Sequence, residues 1–160
     1  MSETAAFNCR RCGHCCHGEG GIVLDDRDQA RLTAHLGLGR AEFLAAFTVA
    51  RAGKVFLTVA SGGDCVFFEA GCGVHAARPD ICRAWPFFKG NLIDAASLEL
   101  SRDYCPGINP RATHAAFAKQ GAAYLRGNDL VKSSEAGAAE ALKLSPAELA
   151  AMLEADPDDA

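Results

Sequence analysis

Cys9-Arg10-Arg11-Cys12-Gly13-His14-Cys15-Cys16 gathers four thiols into one short stretch of chain. Two C-x2-C units share Cys12, which makes an overlapping C-x2-C-x2-C triad with Cys16 appended. Structural zinc sites commonly use two separate C-x2-C knuckles, each giving two ligands to a tetrahedral ion. An overlapping triad suits a cubane better: three thiolates at this spacing wrap three irons, and a remote cysteine takes the fourth. In bacterial ferredoxins that remote cysteine is followed by proline, a detail that Cys105-Pro106 repeats. Left unligated, four neighbouring thiols would be an oxidation hazard.

Outward from this stretch the remaining cysteines are Cys65, Cys72, Cys82 and Cys105, and none follows. Cys15 and Cys16 are adjacent, and in an extended chain adjacent side chains point to opposite faces. Cys9, Cys12 and Cys15 are therefore expected to share one centre with Cys105. Cys16 is expected to turn toward Cys65, Cys72 and Cys82, as a second four-thiolate site or a group of redox-active thiols. A buried cysteine also serves as a small hydrophobe, and that reading competes for Cys65, Cys72 and Cys82 taken singly. His14, His17 and His75 lie beside or near cysteines but read as supporting or surface groups, since enough thiolates are already present. Arg10 and Arg11 read as solvated. Arg78 and Arg83 stand in a stretch with few other charges and are expected to have a structural role. Trp85, Phe87 and Phe88 read as core, or as a dry wall against a cluster.

Composition narrows the class. The chain has 160 residues, 22% charged and 49% hydrophobic, and so resembles an ordinary soluble domain with a core of its own. Sixteen basic against twenty acidic side chains give a net charge of −4. With no long Lys/Arg run, nucleic acid is not an expected partner. No stretch approaches the roughly 18 apolar residues of a membrane helix, and Met1–Phe7 lacks the pattern of a signal peptide. A cytoplasmic, reducing setting follows, in which eight cysteines mean metal or redox chemistry rather than disulfides.

The fold expected is α+β: a small, mostly helical domain with short β-hairpins and a cysteine-ligated metal centre over residues 1–110. A helical C-terminal extension fills residues 111–160. Asp25 is placed to cap a helix starting near Asp26 that ends at Gly37 and Gly39, and helical spacing resumes over Arg40–Ala50. Val55–Val59 and Cys65–Phe68 read as a hairpin, with Glu69-Ala70-Gly71 as a further tight turn bringing Cys65 and Cys72 together. Pro79 opens a helix carrying Ile81, Cys82 and Trp85, and Leu98–Ser101 reads as a last strand. From Arg111 the chain is alanine-rich and helical, and Ser145-Pro146-Ala147-Glu148 is a capping box announcing a final helix. Lys143–Ala160, lacking cysteines, is expected to be dispensable for metal.

The ordered pieces C-x2-C-G-x-C-C at 9–16, Gly63-Asp64-Cys65-Val66-Phe67-Phe68, Cys72, Arg78-Pro79-x-x-Cys82-Arg83-x-x-Pro86-Phe87 and Cys105-Pro106-Gly107 together resemble one family. This is the CxxCxxCC cysteine-cluster family, the YkgJ-type zinc- or iron-chelating domain. A similar cysteine-rich motif appears in flagellin lysine methylases. The resemblance implies metal binding by Cys9, Cys12, Cys15, Cys16, Cys65, Cys72, Cys82 and Cys105. It also implies a cytoplasmic iron–sulfur protein with a redox or electron-transfer role, carrying a [4Fe-4S] cluster, as a component of an oxidoreductase beside a redox or enzyme partner protein. The alternative is a zinc-binding structural or interaction module without catalysis. No catalytic base, nucleophile or phosphate loop comes with the resemblance or is found elsewhere in the sequence.

Overall fold

The structure, a computed structural model, describes residues 5–18, 20–133 and 137–158. It is α+β, with helices and one small antiparallel sheet, and it divides into two compact units. One unit comprises residues 11–83 and 134–139; the other comprises 1–10, 84–133 and 140–160. Among the described residues no helix is long and apolar enough to cross a membrane.

In the unit of residues 11–83, β1 (Val23–Leu24) leads into α1 (Asp26–Leu36). The α1 start is a reciprocal cap: the Asp25 side chain accepts from the Asp28 N–H, and the Asp28 side chain accepts from the Asp25 N–H. Gly37, in the left-handed region at φ 68°, ends the helix. α2 (Arg40–Phe47) follows, then β2 (Thr48–Arg51) and β3 (Lys54–Leu57). The sheet order is β1-β3-β2, all antiparallel, with Val23 opposite Phe56 and Val49 opposite Phe56 on the other side. Leu24, Leu32, Phe43, Leu57, Phe67 and Val74 form the core beneath it.

Two expectations change here. The helical pattern from Arg40 stops at Phe47, because Thr48–Arg51 pairs with Lys54–Leu57 across the two-residue turn Ala52-Gly53. Ala52 and Gly53 lie at φ 48° and 75°, the left-handed pair that a tight hairpin requires. The partner of Val55–Leu57 in the hairpin is thus the preceding segment. Cys65–Phe68 is joined to Thr58-Val59 only by the Val59–Cys65 bridge and a bond from Val66 N–H to the Thr58 carbonyl.

The other unit is built of α4 (Lys89–Ile93), α5 (Ala95–Tyr104), α6 (His114–Gly127) and α7 (Pro146–Glu154), with Phe87, Leu92, Leu98, Phe117, Leu125 and Leu142 in its core. The short helix α3 (Asp80–Ala84) ends where this unit begins. Leu98–Ser101 lies within α5 and is not a strand. Asp94 caps that helix by accepting from Ala96 and Ser97 N–H, and Leu98 is buried while Leu100 is 73% exposed. A strand would have set those two leucines on one face. The capping box of α7 is present as expected, with Ser145 and Glu148 exchanging side-chain and backbone bonds. The helix packs on α6, where Lys119 Nζ donates to the Ala155 carbonyl at 3.0 Å and Thr113 Oγ1 to the Pro157 carbonyl at 2.6 Å.

Candidate metal centre

The amino-terminal cysteine loop is shaped by Gly13. At φ 81° it turns the chain into a 3-10 turn over His14–Cys16, closed by a bond from Cys16 N–H to the Gly13 carbonyl at 2.8 Å. A Cβ on Gly13 would stand 2.7 Å from Cε2 of Phe68, so no larger residue fits without moving that ring. The turn also removes the premise for setting Cys15 and Cys16 apart. Opposed neighbours require an extended backbone, whereas in a 3-10 turn successive side chains are about 120° apart. The two thiols act on each other, by charge and by hydrogen bonding.

Three further segments bring thiols to this turn. Cys65 N–H donates to the Cys16 carbonyl at 2.7 Å, and Gly18 N–H donates to the Gly63 carbonyl at 2.8 Å. Cys72 is held by its bridge to Phe68, across the tight turn at Glu69-Ala70-Gly71 foreseen from the sequence. Cys82 is carried on α3, whose position is set by a buried ion network. Arg31 of α1 donates through Nη2 to Asp28 Oδ1 at 2.5 Å, to Asp80 Oδ1 at 2.9 Å and to the Arg78 carbonyl at 3.0 Å. Asp80 N–H donates to Asp28 Oδ1 at 2.8 Å, and Arg83 Nη1 reaches Asp80 Oδ1 at 3.2 Å. Arg83 thus has the structural role expected of it. Arg78 is tied down as well, its Nη1 donating to the His75 carbonyl at 2.7 Å.

The carboxylates of Asp25, Asp28 and Asp80 come within 4.8 Å of one another, but Arg31 bonds two of them and makes the group an ion-pair network. Burial, above all, raises Asp28 from 3.8 to about 6, with the charges of Asp80 and Asp25 adding to it and the Asp80 N–H and Arg31 opposing it. This network was not foreseen. Its signal was an arginine at the middle of α1, a position that amphipathic spacing assigns to an ordinary surface residue.

Cys15, Cys16, Cys65, Cys72 and Cys82 form one electrostatically coupled group. Burial first, then the charges of Cys15, Cys72 and Cys65, push the Cys16 thiol from 9.0 up to about 12. Burial and the charges of Cys65, Cys15, Cys72 and Cys16 push Cys82 well above its usual value. Cys65 is raised by burial and by Cys72, against a bond from Phe67 N–H. Thiolates so placed repel one another, and a cation among them reverses that cost by replacing their protons. The donor set, all sulfur and partly withdrawn from water, fits a soft thiolate-bound metal. A cleft of about 130 Å³ opens beside the group, lined by Cys15, Cys16, His17, Ile22, Leu57 and Cys65 among others.

Cys12 lies exposed on the same loop. Cys9 and Cys105 belong to the other unit, Cys9 exposed and Cys105 buried. There the backbone beside Cys9 runs along the Cys105 turn: Asn8 N–H donates to the Gly107 carbonyl at 2.9 Å, and Phe7 bridges Ile108. A Cβ on Gly107 would lie 2.6 Å from the Asn8 carbonyl oxygen, so the close approach depends on glycine.

Of the aromatic residues, Phe87 is buried against Phe7, Phe117 and Tyr124 as core, while Trp85 and Phe88 pack edge to face and are half-buried. His17 was read from the sequence as a supporting or surface group, but its partner was not foreseen: its Nδ1 bonds Asp64 Oδ1.

A family model, CxxCxxCC, described as a putative zinc- or iron-chelating domain, matches residues 8–106, a span that contains all eight cysteines. No curated protein and no solved structure matches the chain.

Proposed function

We propose that this chain, which belongs to the CxxCxxCC family, carries an iron–sulfur cluster on its cysteines and serves a redox or electron-transfer role. Metal chelation is the family's description, and the choice of iron over zinc is our reading of the donor set. The observation that carries a metal centre is the meeting of Cys15, Cys16, Cys65, Cys72 and Cys82, near enough for their charges to act on one another. Five thiols gathered from four chain segments are enough for a tetrahedral zinc or for a [4Fe-4S] cluster, each of which takes four, so the group supports a metal centre of either kind. The overlapping triad of Cys9, Cys12 and Cys15, with Cys16 appended, is what favours iron. Cys9 and Cys105 are included as ligands on the sequence pattern, Cys9 by the spacing of the triad and Cys105 by the proline that follows it.

A bound [4Fe-4S] cluster supplies one-electron transfer. The chain's own residues provide thiolate ligands, a fixed loop at Gly13, and α3 anchored through Arg31 and Asp80. The low net charge and the absence of a recognisable catalytic group favour an accessory protein that exchanges electrons with a redox or enzyme partner in the cytoplasm. That reducing setting keeps the thiols able to bind metal.

Single serine substitutions test this reading. After anaerobic loading with iron and sulfide, Cys16→Ser and Cys72→Ser are expected to lose most of the visible absorption that the unaltered chain acquires. Full absorption in both variants would contradict it.

A further inference from the structure

Four residues stand in mirror order on two paired segments: Cys16-His17 on one and Asp64-Cys65 on the other. His17 and Asp64 face each other across an antiparallel bridge, while Cys65 N–H bonds the Cys16 carbonyl. The imidazole Nδ1 of His17 is hydrogen-bonded to Asp64 Oδ1. An ionised carboxylate only accepts, so the proton of this bond sits on Nδ1, and Nε2 is the nitrogen that a metal would take. A carboxylate that fixes the tautomer in this way is the usual companion of a metal-bound histidine.

Two further contacts place the ring. Phe68 packs against it edge to face, with centroids 4.7 Å apart, and the same phenyl ring abuts Gly13 at the cysteine turn. His17 also lines the cleft that Cys15, Cys16 and Cys65 line. His75 differs: the Arg78 guanidinium lies 3.4 Å from its Nδ1, a cation that opposes a metal there.

We propose that His17 is a ligand of the metal centre through Nε2, held in place by Asp64, so that the centre is mixed cysteine and histidine. This rests on the reading that the neighbouring thiols bind a metal. A neutral imidazole in place of a thiolate leaves the centre one negative charge poorer and raises its reduction potential. It also accounts for the carboxylate next to Cys65: with His17 and Asp64 side chains 44% and 36% exposed, an ion pair alone would add little to stability.

The full chain, labelled with 15N-histidine and loaded anaerobically with iron and sulfide, tests the proposal by pulsed EPR of the reduced state, with iron K-edge absorption covering any EPR-silent state. The expected result is a histidine nitrogen coupled to the iron, lost in His17→Ala. Asp64→Asn is expected to keep the coupling while weakening metal retention against a chelator by roughly 10- to 100-fold. Iron bound without any histidine nitrogen overturns this proposal and leaves the cysteine centre standing. Failure to take up iron at all overturns both.

Discussion

The backbone N–H of Cys65 donates to the carbonyl of Cys16 at 2.7 Å, and by this bond two cysteine segments far apart in sequence are joined through the main chain. The thiols beside that bond are held in the neutral form, since Cys16 and Cys65 are both raised by burial and by neighbouring sulfur charge. The main-chain pairing of these two segments therefore does not depend on the thiols. Metal binding to such a site displaces the thiol protons, so its affinity rises with pH and its free energy adds to that of folding.

Gly13→Ala should damage the site from a distance of one residue. An alanine at φ 81° costs about 1–2 kcal/mol in backbone strain, and its Cβ would meet the Phe68 ring at 2.7 Å. The expected outcome is a lower melting temperature together with reduced metal content. Adding Phe68→Leu should recover part of the loss, because the clash is relieved while the strain remains, so the double variant falls short of the sum. Strict additivity in a double-mutant cycle would show that the ring is not the obstacle.

A pH dependence follows from Asp28. Its carboxyl is raised from 3.8 to about 6 in the folded chain, mainly by burial. A carboxyl with a raised folded value contributes stability that is complete below about pH 4 and is lost as pH rises through about 6. On going from about pH 7.5 to pH 5, the unaltered chain should therefore gain stability relative to Asp28→Asn. The asparagine keeps an oxygen for Asp80 N–H and Arg31 but does not titrate. Denaturant titrations of both chains across that range measure the difference, and parallel curves would refute it.

Much of the α+β architecture can be read in the sequence, and the parts that cannot have physical reasons. Asp25 and Ser145 announce their helices because a cap is a local interaction within four residues. Thr48–Arg51 cannot be recognised as a strand from its own pattern, because it continues an apolar helical rhythm and is decided by its pairing with Lys54–Leu57. Leu98-Glu99-Leu100 alternates like a strand, yet Asp94 caps it into a helix. The grouping of Cys16 with Cys65, Cys72 and Cys82 was expected; the coupling of Cys15 to the same group was not, since it depends on the left-handed turn at Gly13. The Arg31–Asp28–Asp80 network joins residues about fifty positions apart, a separation that no local pattern encodes.

Deleting Lys143–Ala160 tests what the last helix does. Leu144 is buried, and Lys89 pairs with Glu148 at 2.8 Å in the unit that also holds α6. The truncated chain should lose thermal stability, by several kcal/mol on removal of a buried leucine and a packed helix face. Iron held by Cys15, Cys16, Cys65, Cys72 and Cys82 should be retained, as these lie in the other unit. Circular dichroism on heating reads the first effect and metal analysis the second. An unchanged melting temperature would count against the packing argument, and loss of iron against the independence of the centre.

The most direct test of the cluster itself is the iron and acid-labile sulfide content of the full chain purified under strictly anaerobic conditions, read together with its visible spectrum. The account predicts brown protein with iron and sulfide in equal amounts, as a [4Fe-4S] cluster contains. Colourless protein carrying stoichiometric zinc and no sulfide would contradict it.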